Sequence, residues 1–166
     1  MDWKLKLNRW IKEFLLWGIA IFILSNIINY FRQPELTSTQ LPNVTVQLID
    51  GNSYSLQKGK PMIIHFWAIW CPTCQLEASN IENLSKYYDV LTIAVRSGND
   101  KKLKSYLQKR KFSFRVLNDR EGKWAQKFNV AAFPTTFIYD SHGVLHFTEV
   151  GYTTTAGLMA RIGLLK

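Results

Sequence analysis

Phe66-Trp67-Ala68-Ile69-Trp70-Cys71-Pro72-Thr73-Cys74, residues 66–74, is the stretch that decides the fold. It grows out of an apolar run, Met62 to Ala68, of the kind shown by a strand buried on both faces, set off by Lys58-Gly59-Lys60-Pro61. Beyond it, Leu76, Ile81, Leu84, Tyr87 and Tyr88 recur at helical spacing. A buried strand thus runs straight into two cysteines, and these open a helix. On a first helical turn, positions i and i+3 bring two sulfurs within bonding reach. Cys71 falls at the helix N-terminus, where unpaired N–H groups and the helix dipole favour thiolate over thiol. The thiolate is the nucleophile of disulfide exchange, and Cys74 stands where it would resolve the mixed disulfide. Pro72 suits an early helical position, where a missing N–H costs nothing.

The same four residues also read as half of a zinc knuckle, a Cu(I) site or an inert structural disulfide. Cys71 and Cys74 are the only cysteines, and His65, His142 and His146 form no spaced ligand pair beside them, so no metal site is assigned. A structural disulfide closing so small a loop would remove little entropy from the unfolded chain. Redox chemistry is the preferred reading.

Outward from this centre, strands and helices alternate. Val44–Ile49 and an arm around Tyr54 flank the turn Asp50-Gly51-Asn52. Val90–Val95 is a second buried strand, and Asp100–Lys111 an amphipathic helix with Leu103, Tyr106 and Leu107 on one side. A short strand, Phe114–Leu117, and a short helix, Glu121–Phe128, follow. Thr135–Tyr139 and Val144–Val150 make a hairpin about Asp140-Ser141-His142-Gly143, and Thr155–Leu165 closes as a helix. The pattern predicts an α/β sandwich.

The N-terminus has a different character. From Phe14 to Leu24 no strongly polar residue interrupts the chain, and it stays largely apolar to Phe31. As a helix, residues 14–31 would span roughly 27 Å, close to a bilayer's hydrocarbon core. Lys4, Lys6, Arg9 and Lys12 precede the segment and only Arg32 follows closely, which places residues 1–13 in the cytoplasm and everything after residue 32 on the far side. A cleaved signal peptide is the rival reading, but Ser25-Asn26-Ile27-Ile28-Asn29 offers a peptidase no small-x-small pair. A buried helix of a soluble domain fits poorly, because the segment is apolar all round. Residues 32–42, polar and without apolar periodicity, read as a linker to a domain over 43–166.

Composition agrees with one domain plus an appendage: 166 residues, 47% hydrophobic and 20% charged, exclude a disordered chain, and nine glycines with five prolines exclude a fibrous one. The formal charge is +9, and beyond residue 35 we count 16 Lys+Arg against 9 Asp+Glu, or +7. Lys101, Lys102, Lys104, Lys109, Arg110, Lys111 and Arg115 lie on and after one helix, a solvated face by default and otherwise a docking face for an acidic partner or an anionic bilayer. For an exported domain, nucleic acid is not an expected partner.

Phe-Trp-Ala-x-Trp-Cys-x-x-Cys at 66–74, Phe133-Pro134-Thr135-Thr136-Phe137 and Val150-Gly151 together resemble the thioredoxin-fold proteins. Glu77 and the extra helix–strand unit between Val95 and Phe128 are similar to their membrane-anchored TlpA-like branch. Glu149-Val150-Gly151-Tyr152-Thr153 and the anchor-plus-domain length resemble the suppressor-of-copper-sensitivity D type of protein disulfide oxidoreductase. The likeness covers roughly residues 43 to 165.

This resemblance implies a thioredoxin-like three-layer sandwich with a central mixed sheet, an N-terminal β extension and an inserted helix–strand unit, preceded by one transmembrane helix. It implies Cys71 as the attacking and Cys74 as the resolving cysteine, and a cis peptide bond before Pro134, where a substrate segment can add as an extra strand. Phe133 would tune access to Cys71, Trp67 and Trp70 would flank the site with Trp70 as a contact surface, and core packing is the other reading for Trp67 and Phe133 and the preferred one for Phe137. His65 stands where thioredoxin has a buried acid, either as a proton relay or as a neutral packed side chain. Ser79 replaces the usual helix-kinking proline, and the Pro72-Thr73 dipeptide lacks the histidine of strong oxidants, which points to an intermediate or reducing couple. The expected protein is a cofactor-free, single-pass enzyme of the bacterial inner membrane with its catalytic domain in the periplasm. It would reduce, isomerise or exchange disulfides of exported proteins and be regenerated by a membrane thiol–disulfide electron carrier. A disulfide-forming oxidant, an apocytochrome c thiol reductase and a Cu(I)-binding chaperone stand as alternatives.

Overall fold

The computed structural model describes residues 10–21, 23, 24, 27, 34 and 38–165. The chain divides into two compact units, Met1–Gln33 and Pro34–Lys166. In the first, residues 10–21 are helical. Among the described residues no helix is long and apolar enough to cross a membrane. The span expected over 14–31, the N-terminus over 1–13 and the linker over 32–42 each lie in part outside the described residues.

The second unit runs β1 (Thr45–Gln47), β2 (Ser53–Ser55), β3 (Met62–Trp67), α1 (Pro72–Ser85), β4 (Asp89–Val95), α2 (Asp100–Arg110), β5 (Arg115–Asp119), α3 (Lys123–Lys127), β6 (Thr135–Tyr139), β7 (Leu145–Val150) and α4 (Thr155–Gly163). Five strands form one mixed sheet in the order β5-β4-β3-β6-β7, and β1 and β2 pair as a separate hairpin. β3, β4 and β5 are parallel, while β6 and β7 are antiparallel additions on the other side of β3. Two crossovers stepping the same way, β3-α1-β4 and β4-α2-β5, put α1 and α2 on one face of the sheet, where Ile81, Leu84 and Leu103 share a core.

Every residue of β3 is buried, because the strand lies at the sheet's centre with both faces covered. Ile63 and Trp67 point into a core shared with Ile81 and Leu84 of α1, Leu103 of α2 and Ile162 of α4. Met62, Ile64 and Phe66 point the other way, into a core with Phe128, Phe137 and the hairpin residues Val46 and Leu56. This is the expected thioredoxin-like α/β fold, with the sheet as its middle layer.

Element ends differ from the sequence reading where turns intervene. The first strand is shorter than Val44–Ile49, because the Leu48 N–H turns back to the Asn52 carbonyl (2.9 Å). The helix expected from Glu121 begins at Lys123, since Gly122 at its N-cap is left-handed (φ 80°). The strand expected over Phe114–Leu117 is shifted to Arg115–Asp119, and the last helix stops at Gly163. The linker also ends early: Leu41 is buried, its N–H donates to the Gly143 carbonyl (2.7 Å), and the Leu145 N–H donates to Thr39 (2.7 Å).

The β1–β2 hairpin is fastened to the sheet by Asp89. Its carboxylate accepts from the Tyr54 hydroxyl (2.6 Å) and pairs with Arg115 (2.8 Å) and Lys60 (3.1 Å). Burial alone would raise the Asp89 pKa, but the Tyr54 hydroxyl and the two cations outweigh it and hold the carboxyl below its ordinary 3.8. Replacing Asp89 by Asn should cost about 1–2 kcal/mol near neutral pH, most of it from the part-buried Tyr54 hydroxyl. The loss should shrink as pH falls below 3.8, where the wild-type carboxylate also takes up its proton. Denaturant unfolding of both proteins at pH 7 and pH 3 checks this, and an equal deficit at both pH values would count against it.

Candidate active site

β3 delivers the chain to the edge of the buried core, and a loop pinned on three sides carries it into α1. The Ile69 N–H donates to Ser97 Oγ (3.1 Å), the Gln75 side chain donates to the Ile69 carbonyl (2.7 Å), and the Cys71 N–H donates to the Ala68 carbonyl (3.2 Å). Cys71 is then the N-cap of α1, with Pro72 in the first turn, and its Sγ accepts the Cys74 N–H at 3.2 Å. The sulfur thus takes the place of the usual capping oxygen and lies against one of the helix's orphan donors. Cys71 and Cys74 are joined as a disulfide with their Cα atoms 5.3 Å apart. Both are buried, Cys74 the more deeply (1% exposed against 6%), so Cys71 is the sulfur a partner reaches first.

The loop before β6 closes over this pair. The Phe133–Pro134 bond is cis, and the Phe133 carbonyl oxygen stands 3.7 Å from Cys71 Sγ. Trp70 is largely exposed, meets the Phe133 ring edge-on at 5.7 Å and donates its indole N–H to the Arg96 carbonyl (3.2 Å). Pro72 is exposed and Thr73 half-buried beside them. Trp67 is core: it packs on Tyr106 and Phe114 with centroids 5.5 and 5.8 Å away. Phe137 is likewise fully buried, against Phe66 and Phe128.

On the α1 face, one row of polar side chains crosses the otherwise apolar sheet. Strand register aligns Thr92, His65, Thr136 and Glu149 across β4, β3, β6 and β7. His65 Nδ1 lies 2.9 Å from Thr136 Oγ1, and complete burial pushes the imidazole pKa down to about 3, so the ring is neutral near pH 7. Glu149 is ion-paired with Arg161 of α4 at 2.5 Å. Above the row, Glu77 of α1 is fully buried, one turn after Cys74. Its Oε1 accepts the Thr153 N–H (3.0 Å), whereas Oε2 has no hydrogen-bond partner among the described residues. Burial drives its pKa up to about 8, and the negative charge of Glu149 adds to the rise against the pull of the Thr153 N–H. At neutral pH Glu77 therefore holds a proton that it can give up without an extreme change of conditions.

A capped, helix-opening disulfide under a cis-proline loop, on this sheet, defines a thiol–disulfide oxidoreductase of thioredoxin-like fold. The chain belongs to the Redoxin family, whose sequence model matches residues 36–160. A thioredoxin-like protein of Haemophilus influenzae is 30% identical over 160 residues, covering 92% of this chain and 95% of its own. The sporulation thiol-disulfide oxidoreductase A of Bacillus subtilis is 23% identical over 138 residues, covering 76% of this chain and 79% of its own. Among solved structures, a secreted disulfide oxidoreductase of Mycobacterium tuberculosis, described as homologous to the DsbE of Escherichia coli, superposes with a TM-score of 0.65 at 24% identity over 74% of this chain and 96% of its own. The protein is a thiol–disulfide exchange enzyme.

Of the residues singled out in the sequence, Trp70, Cys71, Pro72, Thr73, Cys74, Phe133 and Pro134 come together at one end of the sheet, and His65 lies beneath them in the core. In the sequence Glu77 stands out only by its family likeness; its buried oxygen, without a partner among the described residues, emerges once Thr153 and Glu149 fold around it. Because the folded carboxyl keeps its proton up to about pH 8 while an unfolded one releases it near 4.5, the wild type should lose stability as pH rises through that range. Glu77→Gln should lack this slope, so its melting temperature should gain on the wild type between pH 5 and pH 8. Parallel melting curves against pH would refute the raised pKa.

Proposed function

We propose that this enzyme works outside the cytoplasm, held to the bacterial inner membrane by the segment 14–31, and reduces, isomerises or exchanges disulfides of exported proteins. The single observation that carries the catalytic part is Cys71 Sγ at the cap of α1, 3.2 Å from the Cys74 N–H and facing the Phe133 carbonyl. Export and anchoring are supported by the apolar segment, by the lysines and arginine ahead of it, and by the secreted character of the Mycobacterium tuberculosis relative.

In the reductive direction the dithiol form acts. The Cys71 thiolate attacks one sulfur of a target disulfide, forming a Cys71–target bond while the other target sulfur leaves as a thiolate. The Cys74 thiolate then attacks Cys71 Sγ, forming the intramolecular disulfide seen here and releasing the second target sulfur. Two electrons pass to the target, and its two thiolates take up protons. A membrane thiol–disulfide electron carrier returns two electrons to Cys71 and Cys74. Glu77, one turn from Cys74, supplies and recovers the proton that accompanies the Cys74 step. His65 stays a neutral hydrogen-bond partner of Thr136 and takes up no second ring proton near pH 7. Trp70, Phe133 and Pro134 shape the surface on which a target segment lies, with Pro72 and Thr73 setting the poise of the couple. Threonine adds no charge that would stabilise the thiolate, which favours an intermediate or reducing potential over a strongly oxidising one. The suppressor-of-copper-sensitivity D type is the narrower likeness we carry forward. Its support is the closing segment 149–153, which here supplies both the charge and the N–H that act on Glu77.

Reduction of insulin disulfides, with dithiothreitol as electron source, should fall to background in Cys71→Ser. Cys74→Ala should retain the first step and accumulate mixed disulfides with exported proteins on non-reducing gels. Thiol trapping in living cells should find the wild-type pair mostly reduced. A mostly disulfide-bonded pair would replace the reductive reading with the oxidative one, and activity surviving in Cys71→Ser would refute the site.

A further inference from the structure

Beside the cysteines, between Trp70 and Phe133 on one side and α3 on the other, opens a groove of about 480 Å³ whose lining includes Arg96, Gly122 and Gln126. Arg96 follows β4 in a left-handed conformation (φ 46°), one that glycine adopts more easily than any residue with a side chain. The backbone is held there from both sides: the Arg96 N–H donates to the Asp119 carbonyl (2.9 Å), and the Arg96 carbonyl accepts the Trp70 indole N–H. The guanidinium lies against Gly122, so close that a Cβ on that residue would stand 3.1 Å from Arg96 Nε and 3.3 Å from Nη2. Among the described residues the guanidinium has no hydrogen-bond or ion-pair partner. The acidic groups around it are engaged elsewhere: Glu121, in the same groove, pairs with Lys123 (2.6 Å), Asp119, whose carbonyl takes the Arg96 N–H, accepts the Ala125 N–H at its carboxylate (2.9 Å), and Asp100, four residues on, pairs with Arg120 (3.0 Å).

An unpaired planar cation in a concave site next to a redox sulfur recognises a carboxylate, which its fork can take in two parallel hydrogen bonds. We propose that the Arg96 groove is a specificity subsite that selects target peptides carrying an acidic side chain within a few residues of the reacting cysteine. This rests on the exchange reading above and deepens it. The backbone of Arg96 orients Trp70 while its side chain meets the target.

The test uses the reduced full-length enzyme and two peptides, each with a central cysteine activated as its 2-pyridyl disulfide. One carries glutamates on both flanks of the cysteine, the other glutamines. Cys71 attacks the peptide sulfur and releases thiopyridone, which is followed by absorbance, and Cys74 then releases the peptide thiol. The acidic peptide should react on the order of tenfold faster at low salt, and the ratio should shrink as salt screens the pair. In Arg96→Gln the ratio should fall to about one, Arg96→Lys should restore part of it as a point charge, and Lys86→Gln, which removes an exposed cation elsewhere, should leave it unchanged. Arg96→Gly, which relieves the left-handed backbone, should lose the ratio as well, separating the side chain's role from folding. Equal rates for the two peptides with the wild type, or a ratio kept in Arg96→Gln, would overturn the subsite and leave the exchange reading intact. Failure of both peptides to react would overturn both.

Discussion

A sulfur atom caps the helix that follows β3, and most of the molecule serves to keep it there. A capping group must stand within hydrogen-bond reach of an amide at the helix start, so the end of β3, the loop and the first turn of α1 have to be held as one piece. Burial of β3 on both faces fixes the first of these, and Ser97 and Gln75 clamp the loop from neighbouring elements. Pro72 stiffens the first turn without removing a bond the helix needs. The geometry that favours a thiolate is therefore a property of the central strand's packing, and a distant core substitution reaches the chemistry by moving the cap.

Beneath the cap the protein keeps its polar groups uncharged or paired. Burial makes His65 a neutral imidazole and Glu77 a carboxylic acid rather than a carboxylate near pH 7, while Glu149 is balanced by Arg161. Isolated charges in this core would be expensive, and each group has taken the form that avoids one. The outcome is an exchange site with a proton store close to the deeper sulfur and no standing negative charge of its own to oppose a second thiolate.

Much of this architecture is legible in the chain because the signals are local. The apolar run of β3, the cysteine spacing and Phe133-Pro134 each announce themselves within a few residues, and the strand–helix alternation orders them. What escapes reading is set by long-range contact. The state of Glu77 depends on Thr153 and Glu149, which only the folded α1 and β7 bring near. His65 is one histidine in an apolar strand until its register with Thr136 is known. Arg96 looks like one more surface cation, since its left-handed turn and its seat on Gly122 arise from pairing with Asp119 and Trp70. Leu41, inside a stretch that reads as tether, is captured by a turn far along the chain.

That capture has a directional consequence. Met62 pairs with Tyr139, so the Asp140–Gly143 turn that holds Thr39 and Leu41 lies at the opposite end of β3 from Cys71. The segment from Thr39 to Leu41 is tied at one pole of the sheet and the reacting sulfur emerges at the other, with the length of β3 between them. Residues 38–41 therefore leave the surface around Cys71 uncovered.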